Sequence, residues 1–195
     1  MKILGITGPT GAGKTTLLHY LQSQGAVVID CDALYKELMS RPSPLRLAVE
    51  ETFGAEFFPH GELDRGKLGK LVFENPQELE TLNRLVFEHL TQDVKNTLAR
   101  LEQEGVALVA IDAINLIQSG LASLCHSTVA VLADETSRLS RIMARDAMTQ
   151  DDALRRIRAQ EKDDFYHQHA TLVLDNSGTQ EEFLQKLPSA LQTLI

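Results

Sequence analysis

The sequence predicts an α/β protein of three layers built around a parallel β-sheet. Short apolar stretches typical of buried strands alternate with amphipathic helical stretches along the 195 residues, which is the pattern of parallel sheets. A glycine-rich run lies between the first strand and the first helix. The distance from the second strand to the third exceeds what one crossover helix needs, so we expect an inserted, mainly helical region there.

The remaining elements follow from hydrophobic periodicity and from capping and breaking residues. Strands are expected near 2–7, 26–30, 106–112, 128–132 and 171–174. Helices are expected over 14–24, 32–39, 43–53, 64–73, 76 to about 104 and 135 to about 146, and two more begin after Thr149 and after Thr179. Thr149 with Asp152, and Thr179 with Glu182, have the spacing of a capping box.

The glycine-rich run reads Gly8-Pro9-Thr10-Gly11-Ala12-Gly13-Lys14-Thr15 and fits the phosphate-binding loop pattern G-x-x-x-x-G-K-[ST] at every fixed position. Backbone N–H groups and the helix dipole make such a strand–loop–helix junction an anion site. Lys14 can reach the β- and γ-phosphates of a nucleotide, and the Thr15 hydroxyl can ligate Mg²⁺. The alternative is a glycine turn that only packs a helix on a strand, which the complete motif disfavours. The sequence therefore predicts a P-loop NTPase-type fold with ATP and Mg²⁺ as cofactors.

Polar residues follow three of the predicted strands, and ligands of open parallel sheets bind outside the carboxyl ends of the strands. Asp32 is the predicted base, which orients an acceptor hydroxyl and takes its proton. The alternative role of Asp32 is to cap a helix beginning at Ala33, and the two roles are compatible. Asp112 closes an apolar strand as a Walker B acid does, which predicts a part in holding Mg²⁺. Asn176 follows the last strand and is a candidate contact for adenine.

Arginines recur at helical spacing after the fourth strand. Arg138, Arg141 and Arg145 are expected to share one helix face. A mobile lid that carries arginine can neutralise the charge that develops during phosphoryl transfer, so we predict a catalytic role for Arg141 or Arg145. The alternative is a solvated helix face whose arginines pair with Asp134, Asp146 and Asp152.

The composition disfavours several classes of function. A net charge of −8 argues against a nucleic-acid binder, which would present a basic surface. No stretch approaches the ~20 apolar residues of a membrane span. Cys31 and Cys125 lack metal-site spacing and predict reduced thiols in a cytoplasmic protein. We expect a small-molecule substrate and a monomer, with weak self-association left open.

The chain resembles the dephospho-coenzyme A kinase family over nearly its whole length. The most specific segments are the Asp-x-Asp after the second strand and an Asp-Arg-x-x-Leu-x-x-x-Val-Phe run. The resembling segments are Thr7 to Thr16, Val28 to Asp32, Phe53-Gly54, Gly61 to Gly69, Leu71 to Phe73, Leu82-Asn83, Ser119 to Leu121, Arg141 to Asp146, Arg156-Ile157 with Gln160, and Asp175 to Gly178.

The resemblance implies ATP-dependent phosphorylation of the ribose 3′-hydroxyl of dephospho-coenzyme A, the last step of coenzyme A synthesis. It implies that Asp32 is the base, that Gly11 to Thr16 hold the ATP phosphates, and that Arg141 or Arg145 belongs to a lid. It also implies a single domain with a nucleotide core of about 1–31, 105–135 and 170–195, a helical substrate subdomain of about 32–104 and a lid of about 136–169.

Two segments depart from the family pattern. The family usually carries His-Pro shortly after its Leu-Asn pair, where this chain has Phe87-Glu88. It usually carries Asp-x-Pro-Leu-Leu-Phe-Glu after the third strand, where this chain has Ile114 in place of the proline and Gln118 in place of the glutamate. By resemblance both segments lie on the substrate side, so the departures concern the acceptor more than the phosphoryl transfer.

Two other functions therefore stay open. A kinase for another nucleoside, nucleotide or sugar would use the same core, and the altered 113–118 segment is its best support. A non-catalytic ATP-binding regulator is the second alternative. Intact Lys14, Thr15, Asp32 and Arg145 disfavour it, because a site without turnover need not keep them.

Overall fold

The computed structural model describes all residues from 1 to 195. The chain forms two compact units, which we call the sheet unit (Met1–Ile29 with Leu101–Ile195) and the helical unit (Asp30–Arg100). The strands are β1 Lys2–Thr7, β2 Val27–Asp30, β3 Leu108–Asp112, β4 Ser127–Leu132 and β5 Leu172–Asp175. The helices are α1 Lys14–Ser23, α2 Cys31–Ser40, α3 Pro44–Phe53, α4 Arg65–Glu74, α5 Pro76–Gln103, α6 Glu135–Asp146, α7 Gln150–Arg158, α8 Asp163–His169 and α9 Gln180–Leu191.

The five strands form one parallel sheet in the order β2-β3-β1-β4-β5. The central strand β1 pairs with β3 on one side, where Ile6 lies opposite Asp112, and with β4 on the other, where Ile6 lies opposite Val129. The carboxyl ends of these three strands therefore lie side by side, and the phosphate loop leaves from the middle one. The predicted parallel α/β fold is confirmed.

Helices cover both faces of the sheet, which gives the predicted three layers. Val131 of β4 packs in a cluster with Phe183 of α9. Ala130 and Leu132 alternate with it along the strand and so face the other side, where they pack with Tyr166 of α8. Burial on both faces explains why the strands are nearly continuous apolar runs, because neither face has to satisfy water.

The ends of two helices test the predicted capping boxes. Thr179 and Glu182 form the box at the start of α9, each bonding the backbone of the other. The box predicted at Thr149 is wrong. There the Thr149 hydroxyl accepts from the N–H of Asp152 at 3.2 Å, but the Asp152 carboxylate accepts from the Thr149 hydroxyl at 2.7 Å. Aspartate is one methylene shorter than glutamate, and its carboxylate bonds the hydroxyl instead of the backbone N–H.

The helical unit contains α2 to α4 and most of α5. Two of its helices begin at side-chain caps. Ser43 accepts from the N–H of Arg46 at 3.0 Å, and Asp64 accepts from that of Lys67 at 2.9 Å. Helix α5 runs unbroken for 28 residues, where the sequence left a break open. None of the helices combines the length and apolarity that a bilayer-spanning segment needs.

Candidate active site

The phosphate loop, Gly8–Thr15, packs too tightly for side chains at two of its glycines. Gly8 has φ 130°, and a Cβ there would lie 2.2 Å from the carbonyl oxygen of Val131 in β4. Gly13 has φ 99°, and its Cβ would lie 2.1 Å from Nδ2 of Asn176. Positive φ and close backbone approach both demand glycine. The loop is therefore held directly against β4 and the turn that follows β5.

The loop opens onto the N-terminus of α1. Gly13 is the N-cap and supplies no side-chain hydrogen bond, so no side chain covers this end of the helix, although the Thr16 N–H donates to the Gly13 carbonyl at 3.1 Å. Uncapped helix N-termini of this kind attract anions. The Lys14 Nζ donates to the Gly8 carbonyl at 2.7 Å, which carries its ammonium group back across the loop. The Thr15 side chain is exposed and that of Thr16 half-buried. Backbone donors, the helix dipole and one ammonium group together form a site suited to a polyphosphate.

Two side chains support the far side of the loop. Asn176 is buried, and its Nδ2 donates to the Ala12 carbonyl at 2.7 Å. Arg141 donates through Nη1 to the carbonyls of Gly11 and Ala12, both at 3.3 Å. Its Nη2 donates to the Asn176 carbonyl at 2.8 Å. These bonds fix the Gly11 and Ala12 carbonyls, and the Ala12 N–H in turn donates to the Pro9 carbonyl at 3.2 Å, so the loop backbone is held in one conformation.

A second pair of side chains holds the loop at Thr10. Arg138 Nε donates to the Thr10 carbonyl at 3.0 Å, and Gln160 Oε1 accepts from the Thr10 N–H at 3.0 Å. Gln160 Nε2 also donates to the Thr10 hydroxyl at 3.0 Å. Arg138 Nη2 completes the network by donating to Gln160 Oε1 at 2.8 Å. Each polar group of Thr10 thus has a partner from α6 or from the end of α7.

Arg138 is buried, with 6% of its surface exposed. No carboxylate lies within ion-pair distance of its guanidinium. Burial lowers the pKa of Arg138, while Asp163, Tyr166 and Glu135 act electrostatically in the opposite direction. A buried guanidinium without an ion pair depends on hydrogen-bond acceptors, and here the Thr10 carbonyl accepts from Nε and Gln160 Oε1 accepts from Nη2.

Arg145 has a different environment at the C-terminal end of the same helix. It forms two bonds to the Asp146 carboxylate, of 2.7 and 2.9 Å, and Arg156 donates to that carboxylate at 2.7 Å. The bond from Arg145 lowers the pKa of Asp146, and Arg156 adds to the effect. Arg145 is therefore a surface ion pair here, as the solvated-face alternative expects. That alternative is wrong for Asp134, which instead caps α6 by accepting from the Ser137 N–H at 2.8 Å.

Asp112 is the last residue of β3, one strand away from the start of the loop. The Ala113 N–H donates to the Ile6 carbonyl at 3.1 Å, and the Thr7 hydroxyl donates to the Ile114 carbonyl at 3.0 Å. Carboxylate and hydroxyl oxygens are the hard ligands that Mg²⁺ prefers, so Asp112 and Thr15 fit that ion. No group of three or more His, Cys, Asp or Glu side chains could hold a metal unaided. Phosphate oxygens would have to complete the coordination, as is usual for Mg²⁺ at nucleotide sites.

Asp32 lies in the helical unit, in the first turn of α2. The N-cap is Asp30, whose Oδ1 accepts from the Ala33 N–H at 2.9 Å. The capping role considered for Asp32 is therefore wrong, because the helix begins one residue before Asp32 and its cap is already filled. The Asp32 side chain is exposed and forms no hydrogen bond or ion pair. Its carboxylate is thus uncommitted and lies at the positive end of a helix dipole.

A cavity of about 330 Å³ in the sheet unit borders the segment that departs from the family pattern. Gln118 Nε2 donates across it to Glu161 Oε1 at 3.3 Å. Burial raises the pKa of Tyr166, which lines the cavity, to about 12, so the phenol is neutral at physiological pH. The full lining is Ile114, Asn115, Gln118, Ala159, Gln160, Glu161 and Tyr166. The substituted Ile114 and Gln118 thus face a polar cavity.

Three placements bear on the predicted site. Lys14, Thr15 and Asp112 lie at the carboxyl edge of the sheet, as the strand order requires. Arg141 supports the loop backbone, and Arg145 pairs with its neighbour, so a catalytic part for either stays a prediction. Sequence reasoning missed the Gln160 network. Only the position of that residue within the resembling segments pointed to it, since a lone glutamine after a helix carries no chemical signal.

Comparison with known proteins gives a consistent result. A family model described as dephospho-CoA kinase matches residues 2–182. The dephospho-CoA kinase of Carboxydothermus hydrogenoformans is 32% identical over 193 residues, which cover 98% of this chain and 94% of that protein. A crystal structure from Thermus thermophilus has a TM-score of 0.79 at 33% identity and covers 100% of this chain and 98% of its own. The dephospho-CoA kinase from Campylobacter jejuni has a TM-score of 0.68 at 22% identity, covers 98% and 96% of the two chains, and supports the fold alone.

Proposed function

The chain belongs to the dephospho-CoA kinase family, and we propose that it transfers the γ-phosphoryl group of ATP to the ribose 3′-hydroxyl of dephospho-coenzyme A, yielding coenzyme A. The observation that carries the donor half of this proposal is the phosphate loop. Its glycines, its uncapped helix N-terminus and its lysine support a polyphosphate site that is in place before the nucleotide binds. Such preorganisation matters because phosphoryl transfer depends on positioning and charge stabilisation.

We propose that Gly8, Gly11, Ala12, Gly13, Lys14, Thr15 and Thr16 bind the ATP phosphates. The Lys14 ammonium group would exchange the Gly8 carbonyl for phosphate oxygens, which are stronger acceptors because they are charged. Asn176 is the proposed contact for adenine. Its Oδ1 is buried without a hydrogen-bond partner, and a buried acceptor of this kind suits an amino group such as that of adenine.

Thr15 and Asp112 are the residues that would hold Mg²⁺. The ion would neutralise charge on the transferring phosphoryl group. Both side chains offer oxygen, and the remaining ligands would be phosphate oxygens and water. We propose this site from the donor chemistry and from the position of Asp112 beside the strand that leads into the loop.

Asp32 is the proposed base. A carboxylate that orients the acceptor hydroxyl and takes its proton needs an accessible oxygen, and the exposed Asp32 side chain forms no hydrogen bond or ion pair that would occupy one. The proposal for this residue also rests on the family resemblance of the Asp-x-Asp segment. Arg141 and Arg145 are the proposed lid arginines. The surface pair between Arg145 and Asp146 is exposed, and its replacement by a phosphate contact would cost little.

The finer points of the proposal concern location and assembly. Neither Cys31 nor Cys125 forms a disulfide, which suits the reducing cytoplasm. We propose a cytoplasmic monomer that acts on a small-molecule substrate. Size-exclusion chromatography with light scattering at several protein concentrations tests the monomer, and a concentration-dependent dimer would contradict it.

The decisive experiment is an acceptor panel. Purified protein is given ATP and Mg²⁺ with dephospho-coenzyme A, or with a nucleoside or a sugar, and ADP release is followed by a coupled assay. We expect release with dephospho-coenzyme A, a product one phosphoryl group heavier, and a phosphorus NMR signal that couples to the ribose 3′ proton. The Lys14→Ala variant controls for contaminating kinases. No acceptor-dependent release from dephospho-coenzyme A would overturn the proposal.

A second candidate is a kinase for another nucleoside, nucleotide or sugar. The observation in its favour is the cavity lined by Ile114 and Gln118, where the chain departs from the family pattern. An amide at 118 removes a negative charge that a glutamate would supply. ADP release with another acceptor in the same panel, and none with dephospho-coenzyme A, would favour this candidate.

A further inference from the structure

We infer that Arg138 and Gln160 are positioning residues for nucleotide binding, which hold the phosphate loop in its anion-binding conformation through Thr10. The inference rests on the proposed function only in taking ATP as the nucleotide. Thr10 occupies a variable position of the loop motif, so the motif assigns it no role. Its side chain is 9% exposed and bonds Gln160, away from solvent.

The network provides a partner for every polar group of Thr10. Gln160 accepts from the Thr10 N–H and donates to the Thr10 hydroxyl, each at 3.0 Å. Arg138 donates to the Thr10 carbonyl at 3.0 Å. A loop residue held at its N–H, its carbonyl and its side chain has little freedom to rotate either adjoining peptide. The loop N–H groups that would face the phosphates therefore keep their direction before the nucleotide binds.

The buried Arg138 has no other hydrogen-bond acceptor in place of those that the network supplies. Arg138 is buried and has no ion pair, so its guanidinium depends on the Thr10 carbonyl and on Gln160 Oε1. Removal of Gln160 would leave both Arg138 Nη2 and the Thr10 N–H without their acceptor in a partly buried site, which is costly. The loop would relax into other conformations to satisfy them. ATP would then bind only the fraction of molecules that keep the competent loop, and its apparent affinity would fall by that fraction.

Arg138 and Gln160 belong to two neighbouring segments that follow β4. Arg138 lies on α6, and Gln160 follows α7, with its N–H bonded to the Ile157 carbonyl at 3.2 Å. Helices α6 and α7 pack through Ile142, Ala153 and Ile157, which form one buried cluster. The network therefore ties the shape of the phosphate loop to the position of the arginine-bearing segment after β4.

The test measures ATP binding by calorimetry without an acceptor, so its result does not depend on which hydroxyl is phosphorylated. We expect Gln160→Leu to weaken ATP binding roughly tenfold, the size of effect that the loss of one ordinary net hydrogen bond produces. The KM for the acceptor should stay unchanged. The matched control is Gln168→Leu on α8, because that glutamine is exposed and makes no hydrogen bond. Wild-type ATP affinity in folded Gln160→Leu protein would overturn the inference.

Two further variants distinguish positioning from general loss of structure. Gln160→Glu keeps an acceptor for the Thr10 N–H and for Arg138, and the Thr10 hydroxyl can turn to donate to it, so near-normal affinity is expected. Thr10→Val removes the hydroxyl alone and should weaken ATP binding about threefold, whereas Thr10→Ser should restore it. These variants also serve if Gln160→Leu fails to fold. Equal ATP affinity for Thr10→Val and wild type, or a loss in Gln160→Glu as large as in Gln160→Leu, would contradict the inference.

A double-mutant cycle completes the test. Thr10→Val and Gln160→Leu remove ends of the same bond, so their effects on ATP affinity should be clearly less than additive when combined. Additive effects would show that the two side chains act separately, which would overturn the shared positioning role.

Discussion

The surroundings of the phosphate loop differ sharply from the exposed positions of Asp32 and Arg145. Around the loop, buried Arg138 and Asn176 bond backbone carbonyls, and glycines pack against strand and turn. Asp32 has no internal partner, and Arg145 has only a surface pair with Asp146. The proposed phosphate site is thus built in advance, whereas Asp32 is unbonded and Arg145 is held only by an exposed ion pair.

This difference separates two kinds of site residue. Preorganised backbone donors can be identified from internal bonds, because those bonds exist whether or not a nucleotide is present. Groups that act on a substrate must be able to reach it, and Asp32 and Arg145 are both exposed. The four variants below test this contrast, from the largest expected effect to the smallest.

Lys14→Ala should break the donor side. The only ammonium group of the loop is lost, and we expect turnover to fall by about 10³-fold or more, as for other groups that stabilise developing charge. Coupled ADP release measures turnover, and calorimetry should show ATP binding reduced to a trace. Lys186→Ala on the exposed face of α9 is the control. Normal ATP affinity in Lys14→Ala would mean that the loop is not the triphosphate site.

Asp32→Asn should break the uncommitted side while leaving the donor side intact. We expect kcat to fall roughly 10²-fold with little change in ATP affinity, because asparagine cannot accept the acceptor proton. Asp30→Asn is the matched control, since asparagine caps helices as well as aspartate does. Normal turnover of Asp32→Asn would remove the base assignment, and a loss at Asp30 instead would transfer it to that residue.

Gly13→Ala should sharpen the account of the loop when it is compared with Gly105→Ala. Both glycines have positive φ, of 99° and 76°, but a Cβ at Gly105 meets nothing within 4 Å, whereas one at Gly13 meets Asn176. Urea unfolding should show a loss of about 1 kcal/mol for Gly105→Ala from backbone strain. The loss for Gly13→Ala should be roughly 3 kcal/mol, because overpacking is added.

Calorimetry separates the two glycine variants further. ATP affinity should fall for Gly13→Ala and stay normal for Gly105→Ala, which lies before β3. If the two variants lose equal stability and bind ATP equally well, then Asn176 yields without cost and does not brace the loop.

Asp146→Asn should have the smallest effect and tests the exposed pair. Arg145 and Arg156 lower the pKa of Asp146 in the folded protein. A lowered folded-state pKa means that the carboxylate stabilises the fold above its unfolded-state pKa, and that this contribution disappears as pH falls through the folded-state pKa. The difference in unfolding free energy between wild type and Asp146→Asn should therefore be small at neutral pH and vanish in acid.

Urea unfolding at neutral pH and at a series of decreasing acid pH values measures this difference. Asp151→Asn is the matched control, because Asp151 is exposed and makes no hydrogen bond or ion pair. Added salt should reduce the Asp146 effect, since exposed charges are screened. An effect that persists in acid would show that Asp146 acts through something other than its charge.

Much of the fold follows from local pattern. The five strands were predicted because buried parallel strands are continuous apolar runs, and the loop was predicted because its motif is complete. The start of α9 followed from the Thr179–Glu182 capping box. Helix α8 was not predicted, since it has only seven residues and its N-cap, Lys162, offers no capping bond. The sequence offered Asp32 as an alternative N-cap, for a helix that begins at Ala33. Helix α2 instead begins at Cys31, so Asp30 is its N-cap.

The candidate site divides in the same way. Lys14, Thr15, Asp112 and Asp32 are chemically conspicuous and were predicted from residue type and position. The separate environments of Arg138, Arg141 and Arg145 could not be predicted, because helical spacing places them near one face without saying what that face meets. Gln160 lies 150 residues from Thr10 in the chain, and no local pattern links them.

The sequence by itself determined the parallel α/β architecture, the phosphate loop and the family, because strand periodicity and a contiguous motif are local properties. Tertiary structure alone decided which polar groups are committed. It brought Arg138 and Gln160 into hydrogen bonds with Thr10. It brought Arg141 and Asn176 into hydrogen bonds with the loop carbonyls, and Arg145 into an ion pair with the Asp146 carboxylate. Such choices depend on burial, since a buried donor must find an acceptor wherever the fold brings one within reach.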